Sequence, residues 1–110
     1  MQLIHLMDEY FQKHTTGVIQ ESEKIYDWKK VDSPERLIKD YQFSSRTTAL
    51  EFLRQLLLFE DQFNHHAKIV VEYDSVRIEV NTHGIEEVTK LDLDYAQTAD
   101  QIFLDVAEYE

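Results

Sequence analysis

The stretch from Ile69 to Val80, IVVEYDSVRIEV, most constrains what this chain can fold into. Apolar and polar residues alternate along it. Ile69, Val71 and Tyr73 fall on one side of a first strand, and Val76, Ile78 and Val80 on one side of a second. Successive side chains of a strand point to opposite faces, so the alternation predicts an antiparallel hairpin with one buried face, turning at Asp74-Ser75. A face that is buried needs a cover, and the preceding segment supplies one. Ala49, Phe52, Leu53, Leu56, Leu57 and Phe63 recur at helical spacing, while Leu50, Leu58 and Phe59 widen the apolar stripe well past one face. A helix this apolar is central to the core or also buried in a subunit contact. Ser44 and Ser45 are its candidate N-caps. Thr48 and Glu51 have capping-box spacing but sit late for that role.

The flanking segments complete one domain. Residues 2–14 read as an amphipathic helix, with Leu3, Leu6, Met7, Tyr10 and His14 near one face and Gly17 to stop it. Residues 18–24 fit a loop or a lead-in strand. Residues 25–31 form a short strand candidate that contains Trp28, the only tryptophan, which is expected in the core. Residues 32–36, DSPER, form a turn, and the return strand 37–43 places Leu37, Tyr41 and Phe43 on one face. After the hairpin, residues 84–88 form a loop. Thr89 and Asp92 make a capping box for a last helix with Leu93, Ala96, Ala99, Phe103 and Val106 on its apolar face. The order is helix, two strands, helix, two strands, helix. It predicts an α+β domain over residues 1–110: a four-stranded antiparallel sheet with three helices packed on one face. At 110 residues the chain is long enough to bury one real core.

Composition narrows the function. The net charge of −11 repels phosphate backbones and disfavours direct nucleic-acid binding. No apolar run reaches the roughly 18 residues of a membrane span. The N-terminus has no basic region before its apolar residues, so it does not read as a signal peptide. The absence of cysteine removes disulfides and thiolate metal sites and fits a cytoplasmic protein.

Three histidines carry the chemistry. His65 and His66 follow the apolar helix, His83 follows the hairpin, and Asp61 and Asp92 flank the set. The residues alone leave three uses open. Three histidines and a carboxylate suit zinc, although adjacent side chains diverge and no HExxH spacing is present, so no metal is expected. Imidazoles at a helix C-terminus are favoured by the helix dipole, which is a structural explanation for the pair. Acid–base chemistry on a small molecule is the third use, because histidine ordinarily titrates near pH 6.5. His5 and His14 have no such surroundings and read as surface or core-edge residues.

The same positions resemble the signature of the pterin-4a-carbinolamine dehydratases. An acidic residue stands at Asp61, His65-His66 follow after three positions, Tyr73 follows a short strand, nine residues separate it from His83, and Asp92 closes the pattern. The chain departs at Ala67, where the family usually has proline or another small residue; proline would stiffen the exit from the helix, and alanine relaxes it. The resemblance covers about residues 25–107. It implies dehydration of a 4a-hydroxytetrahydropterin to a quinonoid dihydropterin, with no redox cofactor and no metal. By matched position, His65 and His83 would be the acid–base pair, and His66 would orient the pterin or share the proton work. Asp61 would hydrogen-bond within the site, Asp92 would serve the site and cap its helix, and Asn64 and Thr82 would lie close by. The family also implies a homo-oligomer, dimer or tetramer, joined through sheets and helices. It leaves a second function open: a catalytically silent module acting, as some members do, as a dimerisation cofactor for a homeodomain transcription factor.

Overall fold

The computed structural model describes residues 27–108; the helix expected over 2–14, the segment 18–24 and the first residues of the expected strand 25–31 lie outside the described residues. The described chain runs β1 (Lys29–Val31), β2 (Arg36–Gln42), α1 (Arg46–Phe63), β3 (Lys68–Glu72), β4 (Ser75–Val80) and α2 (Lys90–Ala107). The strands form one antiparallel sheet in the order β1-β2-β4-β3. This is the expected α+β architecture, with two helices among the described residues.

Alternation decides which face is covered. Leu37 and Tyr41 of β2, Phe43 just beyond it, and Val76, Ile78 and Val80 of β4 are all buried. The helices close over them through Ala49, Phe52, Leu56 and Phe63 of α1 and Leu93, Tyr95, Ala96, Ala99 and Val106 of α2. At the centre, Tyr41 and Phe43 meet Phe52 and Phe103 with ring centroids 4.9–5.3 Å apart, within the usual range for aromatic pairs. Lys39 lies between Leu37 and Tyr41 on the covered face, and Asp100 of α2 meets it there. One carboxylate oxygen of Asp100 accepts from Lys39 Nζ at 2.8 Å and from the Tyr41 hydroxyl at 2.5 Å, and Trp28 Nε1 donates to the same carboxylate at 3.1 Å. Trp28 is therefore a core residue whose one polar atom is satisfied. Burial, then the neighbouring Asp100 charge, pushes the Tyr41 hydroxyl far up.

Both helices start as their sequences predict. Ser45 caps α1 by accepting the Thr48 amide at 3.1 Å. Thr89 and Asp92 form the complete capping box of α2. The hairpin turn, however, falls at Tyr73-Asp74, one residue before the expected Asp74-Ser75, because Glu72 pairs with Ser75. Tyr73 takes a left-handed φ of 51° and is exposed instead of sharing the face of Ile69 and Val71. Arg46 holds the turn there: its guanidinium lies 5.4 Å from the Tyr73 ring centroid and donates to the Tyr73 carbonyl at 2.9 Å.

Asp94, in the second turn of α2, is a cost the fold carries. It is 5 % exposed, and its Oδ2 has no hydrogen-bond partner among the described residues. Burial pushes its carboxyl up from 3.8 to about 6. Between those two values the folded chain keeps a proton that the unfolded chain has released, so stability falls as pH rises through the window and stays lower above it. Asp94→Asn should remove that slope and add about 1–3 kcal/mol at pH 7. Melting temperatures of both proteins from pH 4 to 7 check this; parallel curves would refute it.

Candidate active site

Three local structures bring the histidines together. The first is the end of α1. Asn64 takes the left-handed conformation, φ 61°, that closes a helix, and its amide donates to the Glu60 carbonyl at 2.8 Å. The chain then passes through His65, His66 and Ala67 into β3. The second is the tight turn after β4. Thr82 pairs with Glu87, whose carbonyl accepts the Thr82 amide at 2.9 Å, and His83 is the first residue of the turn they enclose. Gly84, at φ 94°, supplies the left-handed step next to His83. Val88 N–H and Asn81 Nδ2 dock this turn onto Glu35, and the Val88 amide holds the Glu35 carboxyl below its ordinary value. The third is the first turn of α2, which presents Asp92.

His65 turns inward and His66 is exposed. The rings of His66 and His83 face one another with centroids 5.0 Å apart and planes 30° apart. Both line one cleft of about 330 Å³, with Pro34, Arg36, Ala67, Lys68, Glu79, Asn81 and Glu86 around them. That volume lies at the small end of ligand pockets, enough for a compact ring system. Arg36 and Glu79 form an ion pair at 3.0 Å within this lining.

His65 sits behind the cleft, its ring edge-on to Phe63 and Tyr95. Its Nε2 donates to Asp92 Oδ1 at 2.7 Å. Asp92 is fully buried and both its oxygens are hydrogen-bonded: Oδ2 accepts from the Thr89 amide at 2.8 Å and from the Thr82 hydroxyl at 2.9 Å. An ionised carboxylate only accepts, so Asp92 fixes His65 with a proton on Nε2. The facing pair is His66 and His83; the acid–base roles that the family resemblance implies fall on His65 and His83. Asp92 completes the capping box of its helix and bonds His65 at once. Thr82 supports Asp92. Asn64 is the exposed helix cap, and Asp61 is exposed on α1 with no hydrogen bond to any of the three rings. Among the described residues no group of three His, Cys, Asp or Glu side chains is placed to hold a metal.

Sequence reasoning passed over one carboxylate. Glu60 is 9 % exposed on the buried face of α1, and its Oε2 accepts from the Ala67 amide at 3.1 Å and from the Tyr95 hydroxyl. That hydroxyl is pushed far up by burial, then by Glu60 itself. A signal was present: Phe52, Leu56, Glu60 and Phe63 step by four, four and three, which places an acidic residue in the apolar stripe.

Fold and site together define a class: an α+β domain that holds a facing histidine pair, and a third histidine on a buried aspartate, between two helix ends and a sheet. The family model for pterin 4 alpha carbinolamine dehydratase matches residues 12–102, and this chain belongs to that family. A Brucella ovis protein named "Putative pterin-4-alpha-carbinolamine dehydratase" is 31% identical over 75 residues, 68% of this chain and 77% of the relative. A Brucella melitensis crystal structure described as a transcriptional coactivator/pterin dehydratase superposes with a TM-score of 0.68 at 28% identity, covering 76% of this chain and 96% of that one. A pterin dehydratase-like protein described as a RuBisCO assembly factor of the alpha-carboxysome superposes with a TM-score of 0.64 at 19% identity, covering 71% and 90%, which is a likeness of fold.

Proposed function

We propose that this chain dehydrates a 4a-hydroxytetrahydropterin to the quinonoid dihydropterin by histidine acid–base catalysis. The observation that carries the reading is the facing pair of imidazoles, His66 and His83, in the lining of one small cleft. Hydroxide leaves poorly, so the C4a–O bond breaks readily only if the oxygen is protonated. One imidazolium gives that proton and water departs. The other imidazole takes the proton from N5, and the electron pair of the N5–H bond closes the C4a=N5 double bond. No electron is transferred to or from the substrate. The two rings exchange protonation states and are reset through solvent. Each positioned acid or base contributes about 10²–10⁴ in rate. His65, held by Asp92, stands next to His66 in the chain and outside the lining of the cleft. Asn81, Glu79 and Glu86 offer polar groups to the nitrogen-rich pteridine. The test is the rate of dehydration of a synthetic 4a-carbinolamine; a rate no faster than the spontaneous one refutes the enzyme.

A second reading, a protein-binding module of the same fold, rests on surface leucines. Leu50, Leu57 and Leu58 of α1 are 43–50 % exposed, and Leu104 of α2 is 58 % exposed. Such side chains suit an interface. We expect a homo-oligomer, and light scattering at micromolar concentration should give a mass above the 13.1 kDa of one chain. A clean monomer would remove these leucines as a self-association surface.

A further inference from the structure

We infer that Glu60 is a positioning residue: its buried carboxylate ties down the His65-His66 segment through the Ala67 amide, a restraint of the kind proline would otherwise supply at position 67. The inference rests on the dehydratase reading for its kinetic consequence and on geometry for everything else. A carboxylate in an apolar helix face is costly unless its oxygens are hydrogen-bonded. Glu60 meets that demand through one oxygen, Oε2, which accepts from both the Tyr95 hydroxyl and the Ala67 amide beyond the helix. Its backbone carbonyl closes the helix on Asn64, and its side chain reaches past Asn64, His65 and His66 to the Ala67 amide at 3.1 Å. One residue therefore grips both ends of the segment that presents the two histidines. Ala67 can serve because it keeps an N–H; proline has none. Proline would fix the backbone at 67 by its ring and push His66 toward extended geometry. Glu60 with Ala67 reaches the same end by a hydrogen bond. Fixing that segment sets the 5.0 Å approach of His66 to His83, and displacement of about 1 Å in a catalytic group can cost 10²-fold in rate.

The test is a cycle of Glu60→Ala, Ala67→Pro and the double variant, with Glu60→Gln as the conservative control. It reads kcat, KM, melting temperature and the Cε1–H shifts of His66 and His83, which report the ring approach whether or not the protein is an enzyme. Glu60→Ala should lower kcat about tenfold or more, change KM less, and move both ring shifts. Glu60→Gln keeps an acceptor oxygen and should stay within a few-fold of wild type. The double variant should regain most of the lost kcat and the wild-type ring shifts. Ala67→Pro alone should lower the melting temperature, because it strips a partner from a buried carboxylate, and should not do so beside Glu60→Ala. Where Glu60→Ala fails to fold, Glu60→Met, apolar and of similar volume, replaces it in the cycle. A Glu60→Ala protein with a lowered melting temperature but unchanged kcat and ring shifts overturns the inference, as does Ala67→Pro acting alike in both backgrounds. Wild-type protein without dehydration above the spontaneous rate refutes the dehydratase reading, and the ring shifts then decide the role of Glu60 by themselves.

Discussion

His83→Ala and His66→Ala are each expected to lower kcat for carbinolamine dehydration by about 10² or more, with a melting temperature close to that of wild type. The exposure of both rings sets the second half of that expectation. Neither side chain is in the core, and the turn that carries His83 is fixed by Thr82, Glu87 and Glu35, whose bonds involve no imidazole. The facing geometry sets the first half, since each ring would lose a proton-transfer partner worth about 10²–10⁴. The double variant should lose less than the two losses combined, because groups acting as a unit are not additive. His65→Ala differs in kind. It removes a ring wedged against Phe63 and Tyr95 and leaves Asp92 Oδ1 unpaired, so melting temperature and rate should fall together. Kinetics and thermal melts on the three single variants separate the roles. Full activity in both His66→Ala and His83→Ala would end the acid–base reading of the cleft.

The fold was legible where one periodicity ruled a whole element. Val76, Ile78 and Val80 of β4 are buried as their spacing requires, and so are Ala49, Phe52, Leu56 and Phe63 of α1, while Leu57 of the same expected stripe is exposed. Thr89 and Asp92 form the capping box that their three-residue separation announces. The hairpin turn was misplaced by one residue because Asp-Ser is strong turn chemistry, while the observed turn depends on Arg46, a residue 27 positions away, gripping Tyr73. Local signals cannot contain such a contact.

The site was legible as a set of histidines but not as an arrangement. Adjacency favours divergence of His65 and His66, yet which of them turns inward depends on where Asn64 ends the helix and how β3 registers on β4. A one-residue change at either point would exchange their places. Glu60 escaped notice for another reason. A lone acidic residue beside Asp61 reads as solvated, and only the partners on Ala67 and Tyr95 explain its burial. Ala67, whose departure from the usual proline suggested a looser site, turns out to supply the amide that Glu60 holds.

Asp92→Ala should be the most destabilising single change in the site, by about 3 kcal/mol or more. Its carboxylate accepts from three sources at once: the Thr89 amide, the Thr82 hydroxyl and His65 Nε2. Asp92→Ala breaks the capping box and frees the Thr89 amide, while Thr89 remains the N-cap. Leaving buried donors without acceptors adds about 1–3 kcal/mol for each group that water cannot reach. For a domain of this size the sum corresponds to a fall of roughly 10 °C or more in melting temperature. Asp92→Asn is the sharper experiment. Its one carbonyl oxygen can stay with the Thr89 amide and the Thr82 hydroxyl, which turns the NH₂ group toward His65. An NH₂ cannot accept a proton, so His65 must present a bare Nε2 and move its hydrogen to Nδ1. The fold should survive with a smaller loss, while the imidazole nitrogen shifts of His65 report the other tautomer. A dehydration rate that falls with this switch would show that the proton on Nε2 matters to the site. An unchanged rate in a protein whose tautomer has moved would reduce Asp92 to a helix cap and a packing partner.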